Sequence, residues 1–389
     1  MDSRSPLIVT PALRAAGARA REWLFEAALP LWHARAMDRD RGGWAEALDL
    51  SGAPLDLPRR IQIHPRQAYV LALAGRLGWR PAGADWRDAV AHSLAAAASY
   101  RRADGLHRFK MSPEGAIVDD VAQVYGQAFV LFGLAQGHAT FGAEAGHEAR
   151  ARDLLARLRA LRGRAEGGFA EEAGGALLSN PHMHLLEAAL AWVEVGGGPE
   201  WPALADELMS LCATRFIDPA TGWLFERFGE GWRPATGPDA RLAEPGHQHE
   251  WAWLIDRHLR LRPDASGVGD RAALRDALFA RGEAGLDHAR GVPHMAVRVA
   301  DDGRVAPTPG PARLWPSTER LKAALVVGEA EVAADAASAL FDFFRTPIPG
   351  LWFDAMDENG AMIKGPAPTS SFYHVMCAFG ELLCAVEQG

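Results

Sequence analysis

The chain has 389 residues, 49% of them apolar and 23% charged, and a formal net charge of −8. Both signs of charge are interspersed and no long basic run occurs, which excludes nucleic acid and an anionic membrane surface as expected partners. No apolar run approaches the roughly 20 residues of a membrane span. The start, "MDSRSPLIVTPALRAAGARAREWLFEAALPLW", also lacks the basic-then-apolar layout of a signal peptide, so the expectation is a cytoplasmic protein.

In chain order, apolar residues recur at three- and four-residue spacing in "LFEAALPLWHARAM", "RQAYVLALAGRLGW", "VYGQAFVLFGLAQG", "MHLLEAALAWVEVG" and "HEWAWLIDRHLRL". The same reading over the whole chain predicts about twelve helices of roughly 14–25 residues. Glycine-marked strand–turn–strand segments recur between helix pairs. They are "GGWAEALDLSGAP", "DGLHRFKMSPEGAIV", "EGGFAEEAGGALLSN", "TGWLFERFGEGWRP", "RGVPHMAVRVADDGRV" and "GLWFDAMDENGAMIK". A helix–helix–hairpin unit cannot bury its apolar face alone, so the units must stack or close. Six pairs closing on themselves predict an all-α (α/α)6 barrel, six inner and six outer helices, with short hairpins at the cavity mouth. An open solenoid is the competing arrangement. No linker divides the chain, and residues 1–389 are read as one domain. Cys212, Cys377 and Cys384 are too few for a disulfide framework or zinc knuckle and are read as core packing.

Residues able to do chemistry gather at the starts of the even-numbered helices: Arg66 in "IHPRQAY", Tyr125 in "DDVAQVYGQAF" and His184 in "NPHMHLLEA". His247 and Glu250 in "EPGHQHEW", Trp315 in "RLWPSTE" and His374 in "SSFYHV" complete the set. Pro65, Pro181, Pro245 and Pro316 stand at or near first helical positions. Inner helices begin at one end of such a barrel, so these side chains are expected around one pocket. There the helix dipoles disfavour imidazolium and favour developing negative charge. Glu250, three residues after His247, shares its face and is expected to orient or charge-tune it. His249 and His182 lie about 200° from His247 and His184 around their helices and are read as supporting or surface residues. His64, His92, His138 and His258 are read as ordinary satisfied polar residues.

The histidines lack the four-residue helical spacing of zinc proteases, and no metal or other cofactor is expected. A glycosidase would need a carboxylate pair about 5–9.5 Å apart, for which Asp119, Asp120, Glu187 and Glu250 are candidates. Imidazoles, titrating near neutrality, suit reversible proton transfer better.

Together "NPHMHLLEA", "EPGHQHEWAW", "RLWPSTE", "SFYH" and the arginine of "PRQAY" resemble the N-acylglucosamine 2-epimerase superfamily. The resemblance runs from about Arg66 to His374. It implies an (α/α)6 barrel that opens an aldose or ketose and moves a proton at C2 through a cis-enediol(ate), with no required metal. It further implies that His247 and His374 are the acid/base pair. His184, Glu250 and Arg66 would bind hydroxyls and the enediolate, Trp315 would be a sugar platform, and Tyr125 is a weaker match. Tryptophan after the glutamate and the Trp-Pro pair are similar to the mannose-isomerase branch; His249 departs from the phenylalanine common there. The expectation is conversion of D-mannose to D-fructose by a monomer or homodimer. A 2-epimerase, a phosphosugar isomerase and a non-catalytic sugar binder are the alternatives. For a phosphorylated sugar, Arg59, Arg60, Arg108, Lys110, Arg313 and Lys364 fall near predicted rim loops, though solvated surface is the ordinary state of such residues.

Overall fold

The computed structural model describes residues 7–172, 175–267 and 269–389. Positions 173 and 174, inside the third predicted hairpin, and the first six residues of the N-terminal stretch lie outside the described residues. Twelve helices are described: α1 (residues 11–35), α2 (Ile63–Arg76), α3 (Trp86–Ser99), α4 (Val124–Phe141), α5 (His147–Arg162), α6 (Ser179–Glu194), α7 (residues 200–216), α8 (Pro245–Leu261), α9 (Arg271–Ala284), α10 (Leu314–Val327), α11 (Ala330–Phe343) and α12 (Thr369–Gln388). Both α1 and α7 run through a π-helical stretch, Trp23–Ala28 in the first and Cys212–Phe216 in the second.

The even-numbered helices pack side by side in the order α2, α4, α6, α8, α10 and α12, and α12 packs back onto α2. Each odd-numbered helix lies outside: α1 on α12, α3 on α2, α5 on α4, α7 on α6, α9 on α8 and α11 on α10. This is the (α/α)6 barrel. Sequence pattern explains which helix goes where. In α4 every residue from Gly126 to Gly137 is buried, as a helix surrounded on all sides requires. In α5 the buried set is the stripe His147, Ala151, Leu154, Leu155 and Leu158, with arginines on the remaining face. Gly133 permits α4 to approach α2; a Cβ there would lie 2.5 Å from the Pro65 Cβ.

The hairpins both fold on themselves and tie neighbours together. In five of the six repeats the strand entering an inner helix pairs with the hairpin of the next repeat: 59–60 with 110–111, 177–178 with 227–228, 242–243 with 297–298, 312–313 with 355–356, and 367–368 with 47–48. The last pairing, Ala47 opposite Pro368 and Leu48 opposite Ala367, joins the two ends of the chain and closes the ring, which an open solenoid would not do.

Cys212 and Cys377 are buried as expected, but Cys384 is exposed. It does share the helical face of Cys377; that face leaves the core where α12 runs out at the far end of the barrel, beside a cavity of about 740 Å³. Among the described residues no helix is long and apolar enough to cross a membrane.

Candidate active site

The first turns of the inner helices converge on a cavity of about 300 Å³. Arg66, Tyr125, His184, His247, Glu250, Trp315 and His374 all line it, together with Gln62, Asn180, Glu244, Met295, Ser370 and Ser371. The seven residues named from sequence therefore share one wall, each contributed by the helix start expected for it. Asp119 ends a strand at 117–119, and Asp120 on the loop after it pairs with Arg108, so both stand apart from the cavity, whereas Glu187 and Glu250 are buried.

Trp315 stands between the two histidines expected to work as a pair. Its ring centroid is 5.0 Å from that of His247 and 6.0 Å from that of His374. Gly246 makes room for it: a Cβ at that position would meet the indole at 2.6 Å.

The two imidazoles have opposite surroundings. His247 Nδ1 lies 3.0 Å from Glu226 Oε1 and 3.6 Å from Glu244 Oε2. Burial opposes its charged form, yet Glu226, Glu244 and, more weakly, Glu250 lift its pKa to about 10. This corrects two expectations. The helix dipole does not keep His247 neutral, because two carboxylates at contact distance outweigh partial charges. Nor is Glu250 its main partner, since the Glu250 carboxylate turns instead toward His184, 3.9 Å from Nδ1. His374, in contrast, is held down to about 4 by burial, against which its hydrogen bond to Glu319 works. That bond runs from Nδ1 to Glu319 Oε1 at 2.9 Å and leaves Nε2 for the cavity. His184 is likewise held down to about 4 by burial, with Nδ1 3.3 Å from Glu187 Oε2.

Beneath the cavity, Glu187, Glu250 and Glu319 are all buried, as is Lys322. Tyr373 donates its hydroxyl to Glu187, and Lys322 Nζ lies 2.5 Å from Glu319 Oε2. Burial together with the facing Glu319 pushes the Glu250 carboxyl well above the usual range. Donor atoms of Glu250, Glu319 and His374, of His184, Glu187 and Glu250, and of Glu226, Glu244 and His247 each come within 4.8 Å of one another, the compactness a metal ion asks for. The positive charges at these groups are, however, already supplied, by Lys322 among the buried carboxylates and by the His247 imidazolium at the wall.

Arg66 donates to the Tyr125 hydroxyl at 2.7 Å and to the Ser370 carbonyl at 3.3 Å, and its guanidinium lies 4.0 Å over Phe129. Among the described residues no carboxylate comes within 4.0 Å of it. The other two cavity-lining arginines are different: Arg60 is paired with Glu46, and Arg313 with Asp354 at 2.7 Å.

The companion histidines are internal struts. His182 donates from Nδ1 to the Leu178 carbonyl at 2.7 Å and accepts the Phe169 amide at Nε2, which fixes one neutral tautomer. His249 faces α9, 3.1 Å from Glu283, which also pairs with Arg320. Both are fully buried, so neither is a surface residue. His64 bonds Tyr100 and His258 bonds Asp206, as satisfied polar residues do.

Sequence reasoning missed Glu226, Glu244, Glu319 and Lys322. Glu244 and Glu319 stand inside the quoted motifs, so their nearness to the site was available. Glu226, in the hairpin "TGWLFERFGEGWRP", carries no local signal.

A family model described as N-acylglucosamine 2-epimerase matches residues 12–378. A curated relative from Rhizobium meliloti (strain 1021), named mannose-6-phosphate isomerase, is 39% identical over 380 residues, covering 92% of this chain and 95% of its own. Among solved structures, a D-mannose isomerase superposes with a TM-score of 0.81 at 18% identity, over 97% of this chain and 100% of that one. The cellobiose 2-epimerase of Spirochaeta thermophila DSM 6192 gives the same TM-score at 20% identity, over 97% of this chain and 98% of that one. At those identities the two structures speak to the fold alone, whereas the family model covers nearly the whole chain: it is a member of the N-acylglucosamine 2-epimerase family of sugar epimerases and isomerases.

Proposed function

We propose that the protein is an aldose–ketose isomerase that converts D-mannose to D-fructose, with His374 as base and His247 as acid. The observation that carries this reading is the pair of imidazoles flanking Trp315, one neutral and one protonated. A base poised to take a carbon-bound proton and an acid poised to protonate oxygen are the two groups such a reaction needs.

In this reading His247 protonates the ring oxygen as the pyranose opens and is recharged by the anomeric hydroxyl proton. The open-chain sugar lies against Trp315. His374 Nε2 takes the C2 proton, the C2–H electrons form the C1=C2 bond, and O1 receives a proton from His247. The product is a cis-enediol, whose developing anion is offset by Arg66 and the helix N-termini. The O2 hydroxyl proton then passes to His247, C2=O forms, and His374 delivers its proton to C1. The two imidazoles carry every proton, and the one held on His374 Nε2 exchanges with solvent at the enediol stage before it is delivered to C1, so this reading requires no metal.

A 6-phosphosugar is the second reading, favoured by the name of the Rhizobium relative. Against it stand Arg60 and Arg313, the rim guanidiniums nearest the cavity, each already neutralised by its own carboxylate, and Glu244, which adds negative charge to the lining. A dianion would have to displace those partners.

Proton NMR of the protein with D-mannose in D2O tests the proposal. Fructose carrying deuterium at C1 is the expected product. Glucose deuterated at C2, formed without prior fructose, would make the protein a 2-epimerase. Turnover confined to mannose 6-phosphate would establish the second reading.

A further inference from the structure

Lys322 is a charged side chain with no exposure at all, on the inner helix α10. Its ammonium makes an ion pair with Glu319 Oε2 at 2.5 Å and lies 3.7 Å over the ring of Trp253. The other oxygen of Glu319 receives the Nδ1 hydrogen of His374 at 2.9 Å. Lysine, glutamate and histidine thus form one line that ends at the cavity.

We propose that Lys322 is a positioning residue: its buried ammonium keeps Glu319 as the acceptor of the His374 Nδ1 hydrogen, and its positive charge offsets the pull of that carboxylate toward imidazolium, so that His374 stays neutral with Nε2 free toward the substrate. This rests on the reading of His374 as the base.

The alternatives for the proton explain why a cation is needed. Glu319 shares its chamber with Glu250 and Glu187, and two carboxylates at such range cannot both stay ionised without help. Without the ammonium, a proton would settle on Glu319, which then ceases to accept from Nδ1, or on His374, which then ceases to be a base. Either way the pair gains a proton. With the ammonium present, burial is outweighed by Lys322 and by the His374 hydrogen bond, and Glu319 is drawn down to about 2.

Other charges around the line come from every inner helix that faces it. Glu250 and His247 project from α8, Glu187 and His184 from α6, and Arg66 from α2. Tyr373 and Cys377 face it from α12. Among these, Arg66 acts on His374 itself, and Lys322 is the cation in contact with Glu319.

Two measurements test the proposal. In the intact protein, carbon-13 NMR of labelled glutamate and histidine side chains should show Glu319 ionised down to pH 5 and His374 neutral as the Nδ1–H tautomer at pH 6. A Glu319 carboxyl that titrates above pH 5 would overturn it. In Lys322→Met, the pH at which His374 and Glu319 take up their proton should rise by about one unit or more. The acid limb of kcat/KM on D-mannose should move with it and activity should recover at higher pH, while Lys322→Arg keeps the original limb. A folded Lys322→Met with an unmoved limb and unmoved titration would leave Lys322 a structural residue and sink the idea. If Lys322→Met does not fold, the wild-type spectra decide. If the wild-type protein leaves mannose untouched, the isomerase reading falls while the titrations still judge Lys322.

Discussion

Glu226 Oε1 lies 3.0 Å from His247 Nδ1, and the other oxygen of the same carboxylate accepts from Ser179 Oγ at 2.9 Å. One hairpin glutamate therefore connects the first turn of α6 to His247 at the start of α8. Glu226→Gln keeps the shape and removes the charge. The His247 pKa should then fall from about 10, by about one unit or more. The alkaline limb of the rate profile should move down with it. A limb that stays in place would show that Glu226 does not set the protonation of His247.

In the proposed mechanism, activity requires His374 neutral and His247 protonated. Free-protein values of about 4 and about 10 give a broad plateau of kcat/KM between those limits, falling at lower pH as His374 protonates and at higher pH as His247 loses its proton. His247→Ala and His374→Ala should each reduce turnover by about 10²-fold or more, with far-ultraviolet circular dichroism unchanged. Near-native rates in either variant would remove that residue from the mechanism.

Gly246→Ala would drive a methyl group into Trp315, 2.6 Å from the ring, and toward Pro316 at 3.0 Å. The indole is wedged between two histidines and cannot swing away freely. A loss of about 1–3 kcal/mol in stability is expected, with a rise in KM for the sugar. Chemical denaturation and steady-state kinetics measure the two effects, and an unchanged KM would argue against Trp315 as a sugar platform.

Acid should destabilise the fold through its buried neutral histidines. His107, His182, His184 and His374 sit at about 4, and His64 at about 3, against 6.5 for the free side chain, because burial disfavours the imidazolium. A depressed folded-state value means stability that is present above pH 6.5 and lost as pH falls through about 4, since the unfolded chain binds the extra protons. His247 has the opposite sign: its contribution is complete below 6.5 and lost as pH rises through about 10. Melting temperature should therefore decline as pH falls from 6.5 toward 4. A flat melting temperature over that interval would contradict these assignments.

The metal-independent reading predicts that dialysis against EDTA leaves activity intact. Lasting loss that zinc or manganese restores would mean that a cation, and not Lys322 alone, balances the buried carboxylates.

Much of this was legible before any coordinates. Arg66, Tyr125, His184, His247, Glu250, Trp315 and His374 sit at helix starts spaced through the chain at the repeat interval, and a closed ring of repeats must bring such positions to one end. The alternation of all-round burial in α4 with a single apolar stripe in α5 likewise reads directly from the pattern of arginines.

Closure itself depended on a pairing between Ala47 and Pro368 that no local pattern announces. The same is true of protonation. Sequence determined that seven candidate side chains share a mouth, because helical periodicity and repeat order fix which residues face inward. Only the tertiary structure sets the two histidines apart, one charged and one neutral. Those states depend largely on groups from other elements, Glu226 of a hairpin at 3.0 Å from His247 and Glu319 of another helix at 2.9 Å from His374, and Coulomb interactions at that range in a buried site are not announced by any local sequence pattern.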